Sequence, residues 1–231
     1  MERLDKLLAA TGQWSRKEAK ALVKAGRVQV GGARPKGPED KVAEGTPVTV
    51  DGRPIATEQG VYVMLHKPAG VVSSTQDPRE RTVLDLLPQH LRRRALFPVG
   101  RLDKDTEGLL LLTNDGPLAH ALLAPGRHVD KVYYVEVDGR LDQQDRRAFQ
   151  AGVTLADGTV CQPADLTVLD PPSQGLVTLR EGKYHQVKRM MAAVSNRVVA
   201  LERIRFGNLS LPEDLKPGEW TWVKSAKEIT G

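Results

Sequence analysis

Leu109 to Leu112 form an unbroken run of four leucines, bounded by Gly108 on one side and by Asn114-Asp115-Gly116 on the other. An apolar run this short, closed by turn residues, reads as a β-strand buried on both faces. The stretch just upstream is polar and irregular and carries Arg101, Asp103, Asp105 and Glu107. A loop carried by a buried strand is a rigid mount for a reactive side chain. Spacing alone favours the plainer reading, a charged surface loop ahead of a core strand, because most such loops are only loops.

Composition narrows the setting. A chain of 231 residues can hold one medium domain and a small one, with enough core to fold unaided. The net charge of +5 is compatible with a polyanionic partner but does not decide for one. The lone cysteine, Cys161, excludes an internal disulfide, suits a reducing compartment and reads as a small core residue. No apolar run approaches about 18 residues, so no membrane-spanning helix is expected. The first residues lack a signal-peptide core, so the expected compartment is the cytoplasm.

The N-terminal stretch is patterned and basic. Leu4, Leu7 and Leu8 mark a short helix over 3–10. Ser15 and Glu18 form a capping box that opens a second helix, running to about Ala25 and stopping at Gly26. Arg16, Lys20 and Lys24 recur every fourth residue, so they form one stripe beside the apolar face. Val28-x-Val30 and Val48-x-Val50 alternate as strands, followed by the turns Gly31-Gly32 and Asp51-Gly52. Residues 1–36 carry nine Lys/Arg, among them Arg3, Arg16, Lys17, Lys20, Lys24 and Arg27, against three Asp/Glu. A solvated helix face is the usual meaning of a charge run. Here the cations are barely interleaved with acids, which favours phosphate contact.

Residues 52–60 are polar, with Gly52, Pro54 and Gly60, and read as a linker between a module at 1–51 and a larger domain at 61–231. That domain opens on the strand Val61–Leu65. A short helix is predicted over Thr82–Leu87, and another over Leu118–Leu123, ending before Pro125. Val132–Val137 reads as a strand, and Asp142 caps a helix over 143–151 closed by Gly152. Further strands are predicted near 153–155, 160–169 and 175–180. Val187, Met190, Met191 and Val194 have the spacing of a helix packed on the core. Several antiparallel strands with few helices make this an α+β fold.

Gly100-Arg101-Leu102-Asp103, then Thr106-x-Gly108-Leu109 and Thr113-x-Asp115-Gly116, resembles the catalytic motif of the RsuA-like ribosomal RNA pseudouridine synthases. The resemblance implies that Asp103 is the nucleophile. His66-Lys67-Pro68-x-Gly70 resembles the family's first motif. Its residues read as turn chemistry, with Lys67 a secondary RNA-contact candidate. Lys131-x-Tyr133 resembles the motif whose tyrosine lies against the target base. Strand alternation sends Tyr133 and Tyr134 to opposite faces, so Tyr134 is then a core or sheet-face aromatic. Gly182-x-x-His185-Gln-Val-Lys188-Arg-Met resembles the motif whose lysine, here Lys188, pairs with the nucleophile. His185 has no second ligand at metal spacing, so no metal is expected. Arg101 matches the family arginine that contacts RNA around the vacated position, or else forms a plain salt bridge. Residues 1–50 resemble the small RNA-binding module named after ribosomal protein S-four, through Arg3-Leu4-Asp5-Lys6, Ser15-Arg16, Ala19, Gly26 and Val28-x-Val30.

The implied activity is isomerisation of a uridine to pseudouridine in ribosomal RNA. The glycosidic bond to nitrogen breaks and one to carbon forms, with no atom gained or lost, so no cofactor is required. The carboxylate attacks either the anomeric carbon or the uracil ring. The base must leave its stack to be reached. Tyr133 then stacks on it or assists proton removal. The nearest members of the family act on small-subunit rRNA, since the chain ends soon after its last predicted strand with no long basic tail. Large-subunit rRNA is the alternative within the class. A non-catalytic ribosome-assembly factor is the alternative outside it, and a reactive carboxylate speaks against that reading. The expected partner is rRNA or an assembling subunit, bound by a monomer.

Overall fold

The computed structural model describes residues 1–11, 13–43, 45–55, 60–124 and 129–230. The N-terminal part opens with β1 (Glu2–Arg3), α1 (Leu4–Ala10) and α2 (Arg16–Lys24), followed by β2 (Val28–Val30), β3 (Lys41–Val42), β4 (Val48–Val50) and β5 (Arg53–Ile55). Ser15 caps α2 through a complete capping box with Glu18, and Gly26 takes a positive φ of 71° just past the helix end. Strands β2, β4 and β5 form an antiparallel sheet, and β1 pairs with β3. Leu4, Leu8, Ala19, Leu22 and Val23 from the helices pack against Val28, Val42, Val48 and Val50. The linker reading of 52–60 is corrected here: Arg53–Ile55 pairs with β4 across the Asp51-Gly52 turn. Residues 56–59, the rest of that reading, lie outside the described residues, as does Pro125.

The larger part is built on one mixed sheet. Its elements are β6 (Tyr62–Lys67), a 3₁₀ turn (Val83–Leu86), α3 (Gln89–Arg92), β7 (Phe97–Pro98), β8 (Glu107–Thr113), α4 (Gly116–Leu123), β9 (Lys131–Val137) and α5 (Gln143–Ala151). They continue with β10 (Asp165–Val168), β11 (Gln174–Leu179), α6 (Gln186–Ala193), β12 (Val198–Phe206), β13 (Leu209–Ser210), β14 (Trp220–Trp222) and α7 (Ala226–Thr230). The strand order is β10-β11-β9-β12-β8-β6-β14, with β13 beside β12 and β7 beside β8. Every pairing is antiparallel except β8 with β12. Two of the predicted strands shrink. Thr154 and Val160 form only an isolated bridge, and β10 starts at Asp165, after Pro163 has broken the run.

The four leucines explain why β8 is central. All four are fully buried. Leu110 and Leu112 face a core with Val63, Leu65, Leu87 and Leu91. Leu109 and Leu111 face a second core with Met64, Val99, Leu122 and Phe206. Strand alternation thus divides one leucine run between two cores. A third core lies under β9 and β11, where Phe149, Cys161, Met190 and Met191 pack with Val135 and Val177. The predicted core role of Cys161 and of both methionines agrees with this. Asp115 accepts from the Leu118 amide at 3.0 Å as the cap of α4 and from the Tyr62 hydroxyl at 2.8 Å. The Asn114-Asp115 turn therefore ties β6, β8 and α4 together.

Gly108 sits where β8 meets β12. Its φ is +104°, and a Cβ there would come within 2.3 Å of the Arg203 carbonyl oxygen. Both the conformation and the space require glycine. Gly108→Ala is expected to destabilise the protein by more than about 3 kcal/mol, since backbone strain and overpacking combine at a rigid position. Denaturant midpoints of the two proteins check this, and a midpoint within error of the parent protein would show that β12 can yield.

Candidate active site

Asp103 lies on the loop between β7 and β8. That loop is fastened from beneath by the β6 end and the turn that follows it. The Lys67 ammonium, fully buried, donates to the carbonyls of Pro68 at 3.0 Å, Lys104 at 3.2 Å and Thr106 at 2.8 Å. The Gly70 amide also donates to the Lys104 carbonyl at 2.7 Å, and the Thr106 amide to the Asp103 carbonyl at 3.1 Å. Ser73 Oγ donates to the Leu102 carbonyl at 2.8 Å and accepts from the Leu102 amide at 3.0 Å. Residues 102–106 are thereby fixed at several backbone positions. Lys67 is not a surface RNA contact, and that expectation is corrected. Burial pulls its pKa down to about 8, against the opposing pull of Asp105, Glu107 and Asp103.

The basic side chains around Asp103 come from α6 and the residue before it. His185 Nε2 lies 3.5 Å from Asp103 Oδ1, and Lys188 Nζ lies 3.8 Å from Asp103 Oδ2. Lys188 makes its shorter contact, 2.5 Å, with Asp105 Oδ1. The ammonium is therefore shared between two carboxylates, which the motif alone did not reveal. It is also the main reason that the Asp105 carboxyl is held below the usual carboxylate range. Arg189 turns the other way and pairs with Asp157. His185, read from sequence only as a rejected metal ligand, is the second cation-capable group at Asp103. Its backbone is left-handed, with a φ of 48°, at the start of α6. Among the described residues no cluster of three or more His, Cys, Asp or Glu is arranged to hold a metal.

These groups face a cleft of about 860 Å³, whose wall includes Arg101, Asp103, Tyr133, Tyr184, His185 and Arg203. Tyr133 reaches it and Tyr134 does not line it, as alternation along β9 requires. The sheet register explains the meeting. Lys67 pairs with Gly108, Gly108 with Arg203, and Arg203 with Tyr133, so four strands bring these residues into one transverse row. Arg101 is exposed on the wall. Arg203 went unnoticed in the sequence although it is a charge inside an otherwise regular strand. It is 1% exposed, donates from Nε to the Leu109 carbonyl at 2.8 Å and lies 5.0 Å from the Phe206 ring centre.

On the N-terminal part, Arg16, Lys17, Lys20 and Lys24 are all exposed along α2. A fully buried carboxylate organises part of the group: Asp5 accepts from Arg3 at 3.0 and 3.1 Å, with Arg16 at 3.6 Å and Lys20 at 3.9 Å. Arg3 is the main cause of the lowered Asp5 pKa, and burial opposes it. Arg27 is likewise held in a two-pronged pair, with Asp51.

Comparisons with known proteins agree with this geometry. Residues 61–193 match the RNA pseudouridylate synthase family, and residues 2–48 match the S4 domain. The chain is 47% identical to the uncharacterized RNA pseudouridine synthase YtzG of Bacillus subtilis, covering 94% of this chain and 93% of that one. It is 43% identical to the ribosomal small subunit pseudouridine synthase A of Pseudomonas aeruginosa, covering 98% of each. A crystal structure described as a pseudouridylate synthase superposes with a TM-score of 0.69 at 32% identity, covering 99% of this chain and 98% of that one. The match through the catalytic loop, β9 and α6, together with these relatives, makes the chain a member of the RNA pseudouridylate synthase family with an S4 domain at its N-terminus.

Proposed function

We propose that this protein converts one uridine of small-subunit ribosomal RNA to pseudouridine, with Asp103 as the nucleophile. The observation that carries this is a carboxylate on a clasped loop, beside Lys188 and His185, facing a cleft that Tyr133 lines. Only the ionised carboxylate attacks, and the Lys188 ammonium stands 3.8 Å from it. The bond from C1′ to N1 of the uracil breaks and one from C1′ to C5 forms. The proton leaves C5 and N1 gains one, so the reaction balances without an oxidant or a reductant. Tyr133 stacks on the extruded base or receives the C5 proton. Arg101 contacts the RNA where the base has left. The small-subunit assignment follows the relatives that carry that name at 43% and 40% identity. The exposed cations of α2 grip phosphates and deliver the RNA to the cleft, in the bacterial cytoplasm, from an N-terminal module that runs through β5.

Chemical mapping of pseudouridine in both rRNAs, with and without this protein, tests the substrate. A new site in small-subunit rRNA is the expected result, and one found only in large-subunit rRNA overturns the choice. Asp103→Asn keeps the shape and removes the charge. It should yield a folded protein that binds RNA and forms no pseudouridine, and turnover clearly above background sinks the assignment of the nucleophile.

Lys188→Met is expected to lower kcat by at least about tenfold more than Arg189→Met, because Lys188 alone of the two stands beside Asp103 and Asp105. Equal losses would remove Lys188 from the mechanism. Replacing Arg16, Lys20 and Lys24 together by Gln should flatten the dependence of log affinity on log salt by about two to three units. Apparent KM should rise with far less change in kcat. An unchanged slope would make the stripe a solvated helix face.

A further inference from the structure

Tyr184 is the most exposed aromatic residue on the cleft wall. It is 75% exposed, and its ring stacks on the His185 ring with centroids 3.8 Å apart and planes 19° from parallel. One face of the tyrosine is therefore covered by the imidazole while most of the ring is open to solvent. The next residue carries the nitrogen that lies 3.5 Å from Asp103 Oδ1. The Tyr184 carbonyl accepts from Arg189 Nη1 at 3.3 Å, so the backbone that presents the ring is also tied to α6. Tyr133 supplies a second aromatic ring to the same cleft from a different element, β9.

An open π-face needs an apolar planar partner to be worth keeping in water. Extruding a uridine supplies one, because the flanking bases lose a stacking neighbour when the target leaves. We propose that Tyr184 is a second nucleobase site: a stacking platform for an unpaired base that flanks the target, outside the pocket that Tyr133 lines. The proposal rests on the reading of the cleft as the place where RNA is modified. Stacking on an aromatic ring is tolerant of base identity, so the site takes any of the four bases. It adds affinity that does not depend on counterion release, unlike the cations of α2. His185 is the support against which the ring stacks, so the platform stands beside the imidazole that faces Asp103.

The test uses the full chain, a short single-stranded oligouridylate as the binding probe and rRNA as the substrate. Tyr184→Ala is expected to weaken oligouridylate binding and raise apparent KM, each by about tenfold, with the salt slope unchanged. Tyr184→Phe and Tyr184→Trp should bind like the parent protein, since they keep a ring and lose only the hydroxyl. Three outcomes overturn the proposal: alanine binding as well as tyrosine, phenylalanine failing like alanine, or alanine lowering kcat and shifting its pH profile with KM unchanged. The last would mean that Tyr184 serves only to hold His185. If the unaltered protein forms no pseudouridine in either rRNA, the functional reading fails instead. If it does form it while alanine matches tyrosine throughout, only the stacking site fails.

Discussion

The backbones of β8 and β12 meet closely at Gly108 and Arg203, where a Cβ on Gly108 would come within 2.3 Å of the Arg203 carbonyl oxygen. This contact is the single parallel pairing in the large sheet among the described residues, and it joins the half with β6 and β8 to the half with β9, β11 and α6. Asp103 belongs to the first half. Tyr133, His185 and Lys188 belong to the second. The active-site cleft therefore exists only because two segments about 95 residues apart can touch where one of them has no side chain. Gly108 is also flanked by the two buried cations of the sheet, Lys67 on β6 and Arg203 on β12. Lys67 donates to the carbonyls of Pro68, Lys104 and Thr106, and Arg203 donates from Nε to the Leu109 carbonyl, while its buried Nη2 has no hydrogen-bond partner among the described residues.

Those two cations show a division of labour in the electrostatics. Burying an unpaired charge is costly, and carbonyl oxygens are what offset that cost here. Lys67 holds its loop by hydrogen bonds rather than by pairing with Asp103, so the carboxylate stays facing the cleft. The groups that do pair with carboxylates, Lys188 and His185, are only partly buried and sit on the solvent side. A nucleophile needs that placement: basic groups beside it, but no short salt bridge that locks it. Asp105, with the 2.5 Å contact to Lys188, draws the ammonium away from Asp103 and keeps the longer pair loose.

Much of this was legible along the chain. The leucine run, the capping boxes at Ser15 and Asp142, and the glycine stops at Gly26 and Gly152 are local signals, set by a few neighbouring residues. They fixed most helices and strands and the α+β class, and motif order pointed to Asp103, Tyr133 and Lys188. The misses share a cause. Lys67 reads as turn chemistry and a secondary RNA contact because its three acceptors lie on the next residue and on a loop some forty residues away. Arg53–Ile55 reads as linker because Pro54 and the surrounding polar residues hide a strand that only its partner β4 stabilises. The stretches 153–155 and 160–164 read as strand because their apolar residues fill the third core without making a ladder.

The sequence by itself determined which segments are regular, where the positive charge gathers and which residue types stand ready for nucleophilic attack at a sugar or a base. Periodicity, capping and composition are short-range properties, and a single chain displays them without folding. Only the tertiary structure decided that Lys67 is a buried clasp, that Lys188 divides itself between Asp103 and Asp105, and that Asp5 gathers Arg3, Arg16 and Lys20. It also decided that Tyr184 stands open on His185 beside the nucleophile. Each of these depends on which carboxylate, carbonyl or ring lies within a few ångströms, and on how much water is excluded there. In the large sheet, the β8–β12 pairing at Gly108 sets the register that brings Lys67, Arg203 and Tyr133 into one row.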